Sequence, residues 1–334
     1  MYILRKYKKE KFFMYQQLCE FFQSMPFFSS AAFGIFAMLC YGSSWSLIGL
    51  FLGNAPKKGF EAAVMIVVSN VVMLIFSIVT LIATKAYSTA DLLPTLFTCG
   101  AFAASGVLIF IQQKIMSVAM QSGPNGVIWA IIQSALICPF LMGFCFFKSE
   151  VNLMQWLGLF FLIGALVLFA CGKDNHSKGG RLWKYLAFTG FAVTGVQQSL
   201  NLIPSYYPAT FGVTSVLKAI AQSGGIMLAF AVWMLFQDRR KNFQDIKAAL
   251  SNCTFWKYIA ILQCTNILIM YFLFYPGLNV MVSAGLGSIC YPMMVGACIV
   301  AFTMISLMVL KEKINRIQIA ALAGCLGGLV LMCL

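Results

Sequence analysis

Histidine is all but missing from this chain, and acid is scarce. His176 is the one histidine, and nine Asp or Glu stand among 334 residues. Metal-assisted, acid–base and nucleophilic chemistry inside a protein needs clustered His, Asp, Glu or activated Cys, so an enzyme is the weakest functional reading. Cysteine is not rare, with twelve, but the residues stand singly, with no C-x-x-C pair and no partner histidine. That spacing argues against a metal site or a disulfide framework and for buried thiols serving as small apolar side chains. No cofactor is expected. Charge as a whole is thin: 10% of residues are Asp, Glu, Lys or Arg, against roughly a quarter in soluble domains.

What fills the gap is apolar. Hydrophobic residues make up 61% of the chain and the mean hydropathy is +0.89. The apolar runs are long enough to cross a hydrocarbon core, which takes about 20 helical residues. Alternating strands of a β-barrel would not give runs this apolar. The expectation is an all-α polytopic membrane protein.

Ten candidate spans are read: 31–52, 60–83, 92–112, 123–147, 151–171, 182–203, 213–236, 256–275, 283–310 and 314–333. A polar, Gly-rich linker (GKDNHSKGG, 172–180) divides them five and five. Residues 1–30 form a basic tail with Arg5, Lys6, Lys8, Lys9 and Lys11 among aromatics. No small-residue cleavage site follows a short apolar core, so the tail is not a signal peptide. It reads equally as an interfacial segment or as extra sequence ahead of a start at Met25.

The region 123–170 is written twice. Shifted by 163, Lys148, Asn152, Gln155, Gly164, Leu166, Val167 and Leu168 recur as Lys311, Asn315, Gln318, Gly327, Leu329, Val330 and Leu331. Met73, Leu74 and Phe76 recur as Met227, Leu228 and Phe230, and Tyr41-Gly42 stands opposite Thr194-Gly195. An odd number of spans per copy makes the second copy enter the membrane from the opposite side. The expected units are therefore two inverted five-helix repeats, 31–172 and 181–334, joined by 173–180.

The net charge of +14 sits in loops and tail and speaks of topology and anionic lipid, not nucleic acid. The loops after spans one, three, five, seven and nine carry nearly all the Lys and Arg outside the tail. The opposite loops carry Lys85 and Lys148 only. The positive-inside rule then puts the basic face in the cytoplasm and both termini outside. A bacterial inner membrane is the expected location.

Ten spans in two inverted halves, the first-span Tyr41-Gly42-Ser43-Ser44-Trp45, and the paired endings Lys148-Ser149-Glu150…Gln155-Trp156-Leu157-Gly158 and Lys311-Glu312…Gln318 resemble the drug/metabolite transporter (EamA-like) superfamily. The basic first loop (Lys57, Lys58) and the basic loop after span seven are loosely similar to its sugar-type branch. The second copy departs from the pattern at Ala321, opposite Gly158, and has no proline opposite Pro139. The resemblance implies a carrier with a central cavity open alternately to each side, lined by spans one to four and six to nine, with five and ten peripheral.

Polar side chains in hydrocarbon are costly, so their positions are informative. Asn125, Trp129 and Gln133 share one face of span four at a spacing of four. Gln197, Gln198 and Asn201 cluster on span six, Gln263 and Asn266 on span eight, and Tyr41, Ser44 and Trp45 on span one; Asn70 sits within span two and Tyr291 in span nine. Facing one cavity, they would offer donors, acceptors and a stacking surface to a small polar solute. Facing neighbouring helices, each would be an interhelical bond of roughly 0.6–2 kcal/mol.

Lys218, with Gln222 one turn on, reads as the only formal charge inside a span. It either meets an anionic group of the solute or a proton, or it snorkels to the headgroups. Gly123-Pro124-Asn125-Gly126 and Gly285-Leu286-Gly287 with Pro292 start spans four and nine, as broken helix or as small-residue packing. The expected partners are a small polar solute, with or without a coupling ion, and the lipid bilayer, in a monomer or homodimer. A channel-like facilitator or a lipid scramblase is the alternative.

Overall fold

Each expected span contains helix among the described residues. The computed structural model describes residues 30–85, 87–148, 151–171, 181–236, 239–269, 273–274, 276–277, 280–281, 290–311 and 315–333. Within them run α1 (Ala31–Asn54), α2 (Ala62–Thr84), α3 (Leu92–Ser122), α4 (Asn125–Gln133), α5 (Ile137–Phe147), α6 (Leu153–Cys171) and α7 (Leu182–Leu202). There follow α8 (Ser215–Leu235), α9 (Arg239–Leu250), α10 (Cys253–Ile269), α11 (Cys290–Met308) and α12 (Arg316–Met332). No strand occurs among the described residues. The basic tail, the Gly-rich linker and Gly285-Leu286-Gly287 lie outside them.

Five segments are long and apolar enough to cross a membrane: α1, α2, α3, the run Asn125–Phe147, and α8. Helices α6, α10, α11 and α12 contribute shorter apolar stretches. The outer faces are apolar too, with Ile82, Leu93, Phe160, Leu228 and Val330 all exposed. This surface suits a bilayer and would be an aggregation hazard in water.

Local sequence signals set the ends of the helices. Ser30 and Thr214 cap α1 and α8 by accepting from the backbone N–H groups of Phe33 and Leu217. The N–H of Gln318 donates to Asn315 Oδ1 at 2.8 Å, while Gln318 Oε1 accepts from the Asn315 N–H at 3.0 Å. The first copy builds the same capping box at Asn152 and Gln155, at 2.8 and 3.2 Å. Ahead of each box stands a lysine in the left-handed region, Lys148 at φ 52° and Lys311 at φ 53°. The repeated Lys, Asn and Gln are thus a turn and a helix start, made twice.

Pro139 explains why span four is two helices. It lacks the N–H that Ala135 would receive, and the chain tightens into a 3₁₀ turn at Ser134–Leu136 between α4 and α5. Span three ends later than its apolar run suggests. Helix α3 continues through Lys114 to Ser122 and stops at Gly123-Pro124. The reading of Lys218 as the only charge inside a span is corrected accordingly: hydropathy fell at Gln112, but no helix breaker follows until Gly123.

Contacts fix the relative direction of the helices. Helices α1 and α11 run parallel, Gly42 against Met294 and Gly49 against Phe302. So do α3 and α8, through Phe102–Lys218, Ser105–Gln222 and Phe110–Phe230. Phe60 at the head of α2 meets Phe255 of α10, and Ser69 meets Gln263, again parallel. The α4–α5 pair runs parallel to α7, through Ile132–Gly190 and Cys138–Gly195.

Four pairs are antiparallel. Helix α3 opposes α7 (Ser105–Gln197, Ile115–Gly190). Helix α1 opposes α10 (Phe51–Tyr258), continuing to Tyr41–Phe274 just beyond α10. Helix α4 opposes α11 (Trp129–Phe302, Gly126–Ser306). Helix α6 opposes α12, where Gly158 meets Gly328, Met332 sits beside Gly158, and Ala165 faces Gly324. The most extensive pairings all join a helix before the linker to one after it, so the two halves interleave.

Candidate functional site

Two polar regions lie in this bundle. The first is a seam where α7 and α8 straddle α3. Ser105, fully buried, holds it together. Its Oγ accepts from Gln197 Nε2 at 3.0 Å and from Gln222 Nε2 at 3.3 Å. Ser105 was not among the residues singled out from the sequence. A lone serine in an apolar run carries no signal until its partners are known.

Beside it, Thr194, Gln198 and Asn201 stand at i, i+4 and i+7 of α7, on one face. Thr194 Oγ1, Gln198 Oε1 and Asn201 Oδ1 are buried atoms without a hydrogen-bond partner. Buried polar atoms of this kind cost roughly 1–3 kcal/mol each unless something bonds them. These three oxygens stand in a row along one face of α7. Lys218, half-buried, places its ammonium 5.8 Å from the centre of the Phe102 ring. No ion pair to it occurs among the described residues.

The residues of spans one and four are placed differently. Trp129 is fully packed: its ring lies against Gly49 and, 4.9 Å away, Phe302, and its indole N–H donates to Cys298 Sγ at 3.1 Å. Asn125 and Gln133 are buried on the same segment, Asn125 beside Gly53. Tyr41 stacks on Phe274 at 4.2 Å and meets Trp45 edge-on at 5.5 Å, while Ser44 donates to the Tyr41 carbonyl. Asn70 Nδ2 donates to its own helix at Ile66 O, 2.7 Å.

Gln263 donates to Ser69 Oγ, and Asn266 is half-buried one turn on. The Tyr291 side chain lies outside the described residues. The structure therefore joins Gln197 with Gln222 and sets Gln198 and Asn201 beside them. It separates this seam from the closed packing around Trp129.

The second region is a cavity of about 270 Å³ at the end of the bundle bearing Lys57 and Lys58, lined by Glu61, Lys114, Ser117, Gln121 and Asp245 among others. Lys114 forms a salt bridge with Glu61 and lies 4.9 Å from the centre of the Trp233 ring. Sequence reading left Lys114 and Asp245 aside. Both lie beyond the apolar runs, in a helix continuation and in α9. The signal that would have found Lys114 was the missing helix stop before Gly123.

No groups of His, Cys, Asp or Glu poised to hold a metal occur among the described residues, and the described cysteines are free thiols. No protein-family model matches the chain, and no curated protein matches it.

Proposed function

We propose that the chain is a multi-pass carrier of the drug/metabolite transporter type, built of ten spans as two inverted five-helix repeats. It moves a small polar solute through a site between the halves by alternating access. The observation that carries the reading is an exchange rule in the pairings. Number the spans one to ten, counting α4–α5 as one and leaving out α9, and replace each span by the one five places along. The one–nine pair becomes six–four, and both are parallel. The three–seven pair becomes eight–two, both parallel, each tied by a glutamine amide to a serine hydroxyl. The three–six pair becomes eight–one, both antiparallel. Four–nine and five–ten map onto themselves. Ten alternating crossings reproduce every one of these directions, as inverted repeats about an axis in the membrane plane would.

The unpartnered oxygens of Thr194, Gln198 and Asn201, with the Gln197–Ser105–Gln222 bridge, then give a polar lining along the second half of α7, where it meets α3 and α8. A solute with hydroxyl or N–H groups satisfies them. The basic loops gather at the end that holds Glu61 and Lys114, which supports a cytoplasmic face there, as in a bacterial inner membrane.

Purified protein in liposomes, screened with labelled sugars, amino acids and amines, tests the reading through counterflow. A carrier exchanges faster when unlabelled solute is on the far side, whereas a channel or a scramblase shows no such acceleration. Gln198→Ala is expected to abolish counterflow without loss of protein in the membrane. Lys218→Ala is expected to change apparent affinity or its pH dependence. Normal exchange by both variants would move the site elsewhere.

A further inference from the structure

Lys114 of α3 ties its helix to α2 and α8 and shares a cavity with α9. Its ammonium pairs with Glu61 at the head of α2 and lies over Trp233 of α8. The cavity it lines is also lined by Asp245 of α9. No ion pair to Asp245 occurs among the described residues. Phe110, one turn before Lys114, packs edge-on against Phe230 and Trp233, so this level of α3 is where the first half grips the second.

We propose that the Glu61–Lys114 pair is a latch closing the basic mouth of the bundle, and that Asp245 is the acceptor to which Lys114 transfers when the mouth opens. This rests on the carrier reading for its purpose but not for its test. The physical case is that one cation and two carboxylates from different elements line one cavity of about 270 Å³, and the cation is paired with only one of them. Glu61 belongs to the membrane bundle and Asp245 to a helix outside it, so the two pairings hold different arrangements. The side chains of Lys114 and Glu61 are 24% and 33% exposed. Solvent screens a pair at that depth, which keeps it weak enough to break and remake. The titratable groups around Lys114 in this cavity are Glu61 and Asp245. Lys57 and Lys58 stand exposed on the adjoining loop.

Two carboxylates around one lysine then act with opposite sign. Hydrogen–deuterium exchange of the intact protein in nanodiscs, read over residues 107–118 and 229–236, reports opening of the mouth. Glu61→Gln is expected to speed exchange about two- to fivefold, the range a partly exposed pair supports. Asp245→Asn is expected to slow it, because the open arrangement loses its acceptor. The charge swap Glu61→Lys with Lys114→Glu rebuilds the pair but turns Asp245 into a repelling neighbour, so exchange should fall to the wild-type rate or below it. Unchanged or slower exchange in Glu61→Gln, or faster exchange in Asp245→Asn, overturns the latch. If exchange follows the expected signs while liposomes show no counterflow with any solute, the latch stands and the carrier reading falls.

Discussion

Gly42 of α1 and Gly195 of α7 occupy matching places in the two halves, one residue after Tyr41 and Thr194, yet they face different obstacles. The backbone of Met294 occupies the space where a Cβ on Gly42 would project. Opposite Gly195 the obstacle is mainly the side chain of Cys138, with Ala135 O farther off at 3.7 Å. The Cys138 sulfur can rotate away, leaving its Cβ at 2.9 Å as the fixed obstacle, whereas at Gly42 the backbone oxygen of Met294 lies closer still, so the crossing at Gly195 tolerates change better than the one at Gly42. The two crossings share a glycine and differ in what that glycine faces.

The largest expected effect follows from that difference. Gly42→Val should cost several kcal/mol and strongly lower the yield of folded protein, whereas Gly195→Val should cost about 1–3 kcal/mol. Thermal unfolding in detergent checks the order, and equal losses would erase the distinction. Next come the two left-handed lysines that stand ahead of the capping boxes. Lys148→Gly and Lys311→Gly should each stabilise by up to about 1 kcal/mol, since glycine meets no penalty at φ near +53°. A lower melting temperature in either would mean that the lysine side chain holds something there.

The smallest contrast concerns the capping boxes. Asn152→Ala and Asn315→Ala should each cost about 0.5–2 kcal/mol. The Asn315 variant should suffer more, because its bonds are half-buried and those of Asn152 are exposed. A larger loss at Asn152 would break the equivalence of the two corners.

These corners show how much was legible beforehand. Lys, Asn and Gln recur at fixed spacing because a turn and a capping box need those side chains, and local chemistry of that kind can be read directly. The positions of the apolar helices were nearly as plain, since apolar runs impose them, but α9 falls in the basic loop after span seven, where no apolar run announces a helix. The span-four break could have been read from Pro139, which removes a backbone donor wherever it stands. What sequence could not supply was partnership. Trp129 carries the residue type of a stacking surface, but it donates to Cys298 and is walled in by Gly49 and Phe302, residues far away along the chain. Ser105 carries no distinction of its own and matters because Gln197 and Gln222 converge on it. Lys114 went unremarked because hydropathy marks where a helix leaves oil, not where it stops.

The interleaving of the halves bears on how the molecule is made. Helix α1 finds its principal partner in α11, near the other end of the chain, and α3 finds both of its own beyond the linker. A ribosome delivers these segments in order, so the early ones must wait in the bilayer with their glycine-lined faces turned to lipid. Assembly therefore hinges on the last arrivals, and a chain cut short after α10 would leave α1 without the helix that seals it.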